Sequence, residues 1–255
     1  MLLAVDVGNT QSVFGLFEGE ELRSRWRVLT ERHRTADELA VLVEGLLRLE
    51  GLEREVLEGL ALASVVPDLN REYQGMCRRY LACEALLVGP GVKTGMPILT
   101  NNPREVGADL IVDAVAAFET YGGPCIVVDF GTATTFGAVS EKGEYLGHAI
   151  APGIRTAMDA LVSQAAKLSG VELRDPGSVI GKTTVHSMQA GAVYGFAGQV
   201  DGIVTRMRAE LGVEAVSVAT GGLASLIAPH ARCVDHLDDT LTLRGLEIVH
   251  RRNRQ

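Results

Sequence analysis

The sequence predicts an α/β protein that is built from two similar halves. In the second half, an apolar stretch ends in Asp129 and leads into Gly131 and several hydroxyl residues, a pattern typical of a buried strand that opens into a turn. The same pattern occurs 123 positions earlier, where Asp6 and Gly8 occupy the equivalent positions. One Asp-x-Gly is compatible with an ordinary hairpin turn, but two copies at matching places favour a duplicated architecture.

The similarity between the halves extends beyond these two turns. An acidic hairpin turn follows at residues 18–21 and again at residues 141–144, so each half is expected to begin with three consecutive strands. Helices should follow. Residues 35–49 combine a capping box with apolar residues at helical spacing, and Asn102 and Pro103 are typical of an N-cap and a first helical position.

Two further glycine-containing segments bear on nucleotide binding. Residues 214–230 predict a strand that meets a glycine pair before a helix, which can cradle a nucleotide but is equally compatible with a tight turn. Residues 177–183 resemble a phosphate-binding P-loop, but three residues instead of four separate their glycines and no apolar strand precedes them. We therefore interpret this segment as irregular chain, and Lys182 as a positive charge near a ligand.

Length, composition and charge restrict the class of protein. The 255 residues are 47% hydrophobic and 22% charged, and the net charge of −8 with a pI near 5.3 argues against a nucleic-acid or anionic-membrane surface. We find neither a secretory signal nor an apolar run long enough to span a membrane. The four cysteines lack metal-ligand spacing and are predicted to be reduced packing residues, which favours a cytoplasmic protein.

The two Asp-x-Gly turns have the chemistry of a nucleotide site. A carboxylate at the end of a strand can hold a cation directly or through water, and a glycine lets the backbone approach a ligand. The amide and hydroxyl groups that follow can donate hydrogen bonds to phosphate oxygens. We therefore expect Asp6 and Asp129 to face each other across a cleft that holds a triphosphate and its metal.

Five ordered motifs resemble the type III pantothenate kinases, a family of the actin, sugar kinase and Hsp70 superfamily. They are DVGNT at residues 6–10, NPREVGAD at 102–109, DFGTATT at 129–135, YLGHAIAPGI at 145–154 and GKTTVHSMQAGAVYGFAG at 181–198. The resemblance implies duplicated ribonuclease H-like, actin-like ATPase domains with mixed sheets flanked by helices, at residues 1–117 and 118–255. It also implies phosphorylation of the primary hydroxyl of pantothenate by ATP, the first step of coenzyme A biosynthesis.

The same resemblance implies cofactors, partners and residue roles. It implies Mg²⁺, a monovalent cation that is K⁺ or NH₄⁺, and a homodimer. Asp109 is then the catalytic base, Asp129 holds the monovalent cation, and Asp6 contacts Mg²⁺. ATP is expected to contact Thr132 and the first turn, whose residues are Asp6, Val7, Gly8, Asn9, Thr10, Gln11, Ser12 and Val13. The pantothenate site is expected to include Gly107, Ala108, Asp109, Leu110 and Thr184.

Two residues depart from the family pattern. Leu110 stands where the family usually has a substrate-binding Arg, and Thr100 stands where many members have Tyr. Loss of the Arg would remove a charge-assisted hydrogen bond of about 1.5–3 kcal/mol to the substrate carboxylate. Our hypothesis is that Arg104, Arg155 or Lys182 supplies the missing positive charge.

The sequence also leaves other interpretations open. Asp109 is compatible with a carboxylate that only stabilises a helix N-terminal turn, and Asp113, one turn later, is predicted to be solvated or to pair along its helix. Leu110 is compatible with a nucleotide-binding regulatory protein with little or no kinase activity. A phosphatase or ATPase of the same superfamily would hydrolyse ATP without an acceptor. We favour the kinase because Asp6, Asp109 and Asp129 are all present.

Overall fold

The computed structural model describes residues 1–254, which form two compact units. Unit 1 consists of Met1–Met96, Asn101–Ala116 and residues 241–254. Unit 2 consists of Pro97–Thr100 and Ala117–Thr240. Each unit contains one five-stranded sheet, so the predicted α/β class is confirmed.

Each half begins with three consecutive strands and continues with a helix, as predicted. The strands are β1 (Leu2–Val7), β2 (Gln11–Glu18), β3 (Glu21–Leu29), β4 (Gly59–Ser64), β5 (Ala85–Leu87), β6 (Cys125–Phe130), β7 (Ala133–Val139), β8 (Tyr145–Pro152), β9 (Val216–Thr220) and β10 (His236–Leu237). The helices are α1 (Ala36–Leu49), α2 (Pro67–Met76), α3 (Ala108–Tyr121), α4 (Ile154–Gln164), α5 (Thr184–Leu211), α6 (Ala224–Ile227) and α7 (Leu241–Asn253). Within residues 1–254, none of these helices combines the length and apolarity that a bilayer crossing requires.

The two sheets have the same strand order. Unit 1 is ordered β3-β2-β1-β4-β5 and unit 2 is ordered β8-β7-β6-β9-β10. In both sheets the first strand is antiparallel to the second and parallel to the fourth. A bulge places one extra residue in the third strand of each sheet, Arg23 in unit 1 and Leu146 in unit 2, which are 123 positions apart. The predicted duplication is therefore confirmed, down to this irregularity.

The start of α1 agrees with the sequence prediction. The Thr35 hydroxyl accepts a hydrogen bond from the Glu38 amide, and the Glu38 carboxylate accepts one from the Thr35 amide at 2.8 Å, which completes the capping box. The apolar face of α1, represented by Leu39 and Val43, is buried in the core of unit 1. The capping box therefore stabilises the first turn of α1, and burial of the apolar face holds the helix against the core of unit 1.

Helix α3 begins later than predicted. Asn102 caps only a single 3₁₀ turn, Pro103–Glu105, and Val106 is extended with φ −75° and ψ 124°. The α-helical pattern of hydrogen bonds begins where the Ile111 amide donates to the Gly107 carbonyl at 3.2 Å. The predicted N-cap was therefore wrong for the α-helix, because an extended residue separates the turn from it.

Helix α7 packs on unit 1, although it follows unit 2 in the chain. It contacts β1, β2 and β4. Two glycines allow this approach: a Cβ added at Gly15 in β2 would lie 2.9 Å from Leu243 Cδ1, and a Cβ added at Gly245 would lie 2.6 Å from the Val112 carbonyl carbon. By packing, residues 241–254 therefore belong to the first unit.

The domain limits 1–117 and 118–255 stay a prediction. The division between the compact units at Ala116 and Ala117 lies next to the predicted boundary, whereas the position of α7 differs from it. The difference arises because the linear pattern of α7 shows an apolar face but not the sheet that the face covers.

All four cysteines are free thiols, and they pack as predicted. Cys77 and Cys125 are fully buried, and Cys83 and Cys233 are partly buried. Burial raises the pKa of Cys125 to about 12, so this thiol stays protonated at neutral pH.

Candidate active site

The turn between β1 and β2 presents polar groups to solvent. Asp6 is half-buried at the end of β1, and the Gly8 amide donates to the Gln11 carbonyl at 3.1 Å to close the turn. Asn9, Thr10 and Gln11 are exposed. These groups lie where we expected ATP phosphates, and their role stays a prediction.

Other residues of the same turn face the protein interior. Val7 is fully buried and Val13 is half-buried. Ser12 is 3% exposed, and its hydroxyl lies 2.8 Å from the Thr30 hydroxyl. Their side chains are therefore placed to support the turn, and only their backbone groups are available to a ligand.

A loop from the next part of the chain holds this turn in place. Residues 30–35 connect β3 to α1, and the Thr30 amide donates to the Thr10 carbonyl at 3.0 Å. Arg32 Nη2 donates to Asn9 Oδ1 at 2.9 Å. Arg32 was not predicted as a site residue, because nothing in the linear pattern distinguishes it from Arg34 in the same loop.

Asp109 lies in the first turn of α3, because this helix begins at Ala108 rather than at the predicted Pro103. Its Oδ1 accepts a hydrogen bond from the Leu110 amide at 2.9 Å, and the partly positive N-terminus of the helix favours the carboxylate. The carboxylate folds back over Gly107, where an added Cβ would overlap Oδ1. Gly107 therefore allows the side chain to take this position, and half-burial leaves it accessible.

Asp113 contradicts one of the two alternatives predicted for it. It is 2% exposed, so the expectation of a solvated residue was wrong. Most of α3 from Ile111 to Ala117 is buried, and spacing from Asp109 alone therefore does not reveal the environment of this side chain.

The second Asp-x-Gly turn, between β6 and β7, surrounds a carboxylate with glycines. Asp129 Oδ2 would lie 3.2 Å from a Cβ added at Gly131, and a Cβ added at Gly221 would overlap Oδ1. Gly221 also has φ +93°, which favours glycine. The glycine pair after β9 thus leaves room beside Asp129, which is a more specific role than the plain tight turn that we considered.

Thr132 is exposed in this second turn, and the start of α4 packs against its backbone. The Thr132 carbonyl accepts hydrogen bonds from the Gly153 amide at 3.1 Å and from the Thr156 hydroxyl at 2.8 Å. A Cβ added at Gly153 would lie 2.5 Å from the Gly131 carbonyl oxygen. The close approach fixes the turn and leaves the Thr132 side chain directed to solvent.

Thr184 lies at the edge of an open cavity of about 850 Å³ in unit 2. Lys182 and Ser187 also line this cavity, and its apolar walls include Met158 and Phe196. Thr183 caps α5, since its hydroxyl accepts a hydrogen bond from the His186 amide at 3.2 Å. The cavity therefore combines one positive charge and several hydroxyl groups with an apolar surface.

The carboxylates of the two turns suit cations whose coordination is completed by a bound ligand and water. Among residues 1–254, no three His, Cys, Asp or Glu side chains converge as a metal site. Mg²⁺ is usually bound by one or two carboxylates, with phosphate oxygens and water completing its shell, and Asp6 suits that arrangement. Asp6 lies in unit 1 and Asp129 in unit 2, and their expected approach across a cleft stays a prediction.

Comparison with known proteins decides the family. A family model described as Type III pantothenate kinase matches residues 2–206. The chain belongs to the type III pantothenate kinase family. A type III pantothenate kinase of Moorella thermoacetica is 58% identical over 253 residues, which cover 99% of this chain and 100% of that protein. A type III pantothenate kinase of Myxococcus xanthus is 54% identical over 253 residues, or 99% of both chains.

Similarity to a solved structure shows the fold of the chain. The crystal structure of inorganic polyphosphate/ATP-glucomannokinase from Arthrobacter sp. strain KM matches with a TM-score of 0.52 and 13% identity over 98% of both chains. At this identity the match shows the fold alone. The resemblance to the type III pantothenate kinases is confirmed by the family match, and the duplicated actin-like ATPase fold is confirmed as the architecture of the chain.

Proposed function

We propose that this protein transfers the terminal phosphoryl group of ATP to the primary hydroxyl of pantothenate, the first step of coenzyme A biosynthesis. The observation that carries the proposal is the full-length similarity to relatives named type III pantothenate kinase. Asp6 and Asp129 lie near the ends of β1 and β6 and Asp109 lies in the first turn of α3, which supports the roles that the proposal gives them.

In the proposed reaction, Asp109 acts on the acceptor. Its carboxylate orients the pantothenate hydroxyl and takes its proton while the hydroxyl oxygen forms a bond to the γ-phosphorus. The bond from that phosphorus to the β–γ bridging oxygen breaks, and ADP leaves with the electron pair. Aspartate is a weak base at neutral pH, so proton transfer comes late and orientation is its larger contribution.

The two turns hold the donor. The exposed side chains of Asn9, Thr10 and Gln11, with the amides of Gly8 and its neighbours, are placed to donate to phosphate oxygens, and Thr132 is placed to contact ATP from the second turn. The tie between Thr30 and Thr10 keeps the first turn in one geometry. Fixed donors stabilise the developing charge without reorganisation during the reaction.

The proposal includes two cations. We assign Mg²⁺ to Asp6 and a monovalent cation, K⁺ or NH₄⁺, to Asp129, whose carboxylate lies between Gly131 and Gly221. When bound, these cations neutralise phosphate charge. A protein with a net charge of −8 needs such neutralisation to bind two anionic substrates.

Measurement of ADP release tests the proposed function directly. We expect release to depend on added pantothenate, to vanish without a divalent cation, and to fall about tenfold or more when Na⁺ replaces K⁺. Asp129→Asn should remove the difference between K⁺ and Na⁺, because it removes the carboxylate charge. A coupled assay of ADP in both salts measures these effects.

Each other outcome of this assay has a defined meaning. Release that does not require pantothenate would indicate a hydrolase, and nucleotide binding without any release would indicate a regulatory protein. Equal rates in K⁺ and Na⁺ would contradict the role of Asp129.

Lys182 is our choice for the charge that replaces the family Arg at the position of Leu110. Of the three candidate cations, Lys182 lines the cavity that contains Thr184, and Arg104 and Arg155 do not. The proposed pantothenate contact at Thr184 would then have a cation two residues away. A substrate carboxylate that binds there would form a charge-assisted hydrogen bond.

Replacing Lys182 with Ala should raise KM for pantothenate by about 10- to 150-fold, as expected for a lost bond of about 1.5–3 kcal/mol. KM for the carboxamide of pantothenate should change little, since that analogue has no charge at this end. Lys142→Ala, which removes an exposed lysine from the β7–β8 turn, is the matched control. A larger effect from Arg104→Ala or Arg155→Ala than from Lys182→Ala would transfer the role to that residue.

We also propose that the protein is a homodimer. One face of α5 exposes Gly191, Gly195 and Gly198, and a Cβ added at any of them would meet nothing within 4 Å. A flat helix face of this kind suits close packing against the same face of a second copy. A mass in solution of 27.2 kDa, rather than twice that value, would argue against it.

A further inference from the structure

The loop of residues 30–35 places a guanidinium at the rim of the β1–β2 turn. Arg32 is exposed, and its Nη2 donates to Asn9 Oδ1 at 2.9 Å. Two further contacts fix this loop on the turn, from the Thr30 amide to the Thr10 carbonyl and between the Thr30 and Ser12 hydroxyls. The position of Arg32 beside the turn is therefore determined by three separate contacts.

The charge of Arg32 has no internal counterpart. Several other exposed arginines of unit 1, although not all, pair with carboxylates, as in Arg23 with Glu18 at 2.8 Å and Arg48 with Glu44 at 2.6 Å. Among residues 1–254, no carboxylate lies within salt-bridge distance of Arg32, although the protein carries a net charge of −8. An anion from solution is the partner that this arrangement suits.

The geometry of the guanidinium allows it to serve two groups at once. A guanidinium has five N–H donors in a planar fork, and the hydrogen bond to Asn9 uses one of them. The same hydrogen bond fixes which end of the Asn9 amide faces Arg32, so the amide NH₂ group points away from it. Arg32 and Asn9 thus each retain N–H donors at the rim of the turn, and a phosphate can accept from both.

We propose that Arg32 binds the β- or γ-phosphate of ATP and holds Asn9 in the orientation in which it binds the same phosphate group. The inference rests on the proposed function, because that function places ATP phosphates on the β1–β2 turn. The inference adds a direct contact between the phosphates of ATP and a charged side chain that lies outside the turn. Arg32 would then offset part of the negative charge that the two Asp residues bring to the site.

Four variants separate this role from a structural one. Arg32→Ala removes the charge and the donor, Arg32→Gln keeps a donor for Asn9 without the charge, and Arg32→Lys keeps the charge without the fork. Arg34→Ala removes the same charge from a half-buried residue of the same loop and is the matched control. Affinities for ATP, ADP, AMP and adenosine are measured by calorimetry, together with KM and kcat.

We expect Arg32→Ala and Arg32→Gln to weaken ATP binding by about 10- to 100-fold, with Arg32→Lys between them and the wild type. Adenosine and AMP should bind as they do to the wild type, and Arg34→Ala should differ from it by less than about threefold. Loss of affinity for ADP as well as ATP would place the contact on the β-phosphate. Loss for ATP alone would place it on the γ-phosphate.

Several results would overturn the inference. Equal losses for ATP and adenosine, or full recovery in Arg32→Gln, would show that Arg32 acts only through the shape of the turn. Unchanged ATP affinity in Arg32→Ala would exclude any contact. Failure of the proposed function is distinguishable, because the wild type itself would then show no pantothenate-dependent ADP release.

Discussion

Replacing Asp109 with Asn is expected to lower kcat by about 10²- to 10⁴-fold and to leave the affinity for ATP nearly unchanged. The substitution preserves the size of the side chain and its hydrogen bond from the Leu110 amide, but removes the acceptor for the hydroxyl proton. Single-turnover measurement of phosphoryl transfer, with ATP binding measured separately, tests both parts of this expectation.

Glu105→Gln is the matched control for Asp109→Asn. Glu105 is exposed in the 3₁₀ turn before α3, so its replacement removes the same charge from the same part of the chain. Its kcat should equal that of the wild type. An unchanged kcat in Asp109→Asn, accompanied by a lower unfolding temperature, would leave Asp109 with the role of stabilising the helix N-terminus only.

Gly245→Ala is expected to destabilise the protein by about 3 kcal/mol or more, which lowers the unfolding midpoint by about 6–12 °C. A Cβ at this position would overlap the Val112 carbonyl oxygen and lie 2.6 Å from the carbonyl carbon. Both positions are buried where α7 meets α3 within unit 1, so the backbone of one helix must move. Thermal unfolding followed by circular dichroism measures the shift.

Gly45→Ala should change stability in the opposite direction. Gly45 is exposed in the middle of α1, and a Cβ there meets nothing within 4 Å. Alanine favours helix over glycine by about 0.5–1 kcal/mol at such a position. If Gly245→Ala were as stable as Gly45→Ala, the close packing of α7 on α3 would not contribute to the native state.

The parts of the fold that the sequence could predict are those with local signals. The apolar run before Asp6, its copy before Asp129 and the capping box at Thr35 each determine structure through neighbouring residues. The spacing of 123 residues revealed the duplication, and the bulges at Arg23 and Leu146 show how far it extends. For the candidate site, the same local patterns located both turns.

The features that sequence reasoning missed depend on contacts between distant residues. Asp113 is buried because its helix is covered on most sides, which spacing along one helix does not show. Arg32 lies beside Asn9 through the loop of residues 30–35, although the two residues are 23 positions apart in the chain. The role of Gly221 beside Asp129 likewise requires β9 to be paired with β6.

The packing of α7 on the first sheet has a consequence for synthesis of the chain. Domains usually fold in the order in which they leave the ribosome, N-terminal first. Here all of unit 2 lies within residues 97–240, whereas unit 1 needs residues 241–254 to cover β1, β2 and β4. The nascent sheet of unit 1 therefore stays partly uncovered until residues 241–254 have been synthesised, and unit 1 is completed after unit 2.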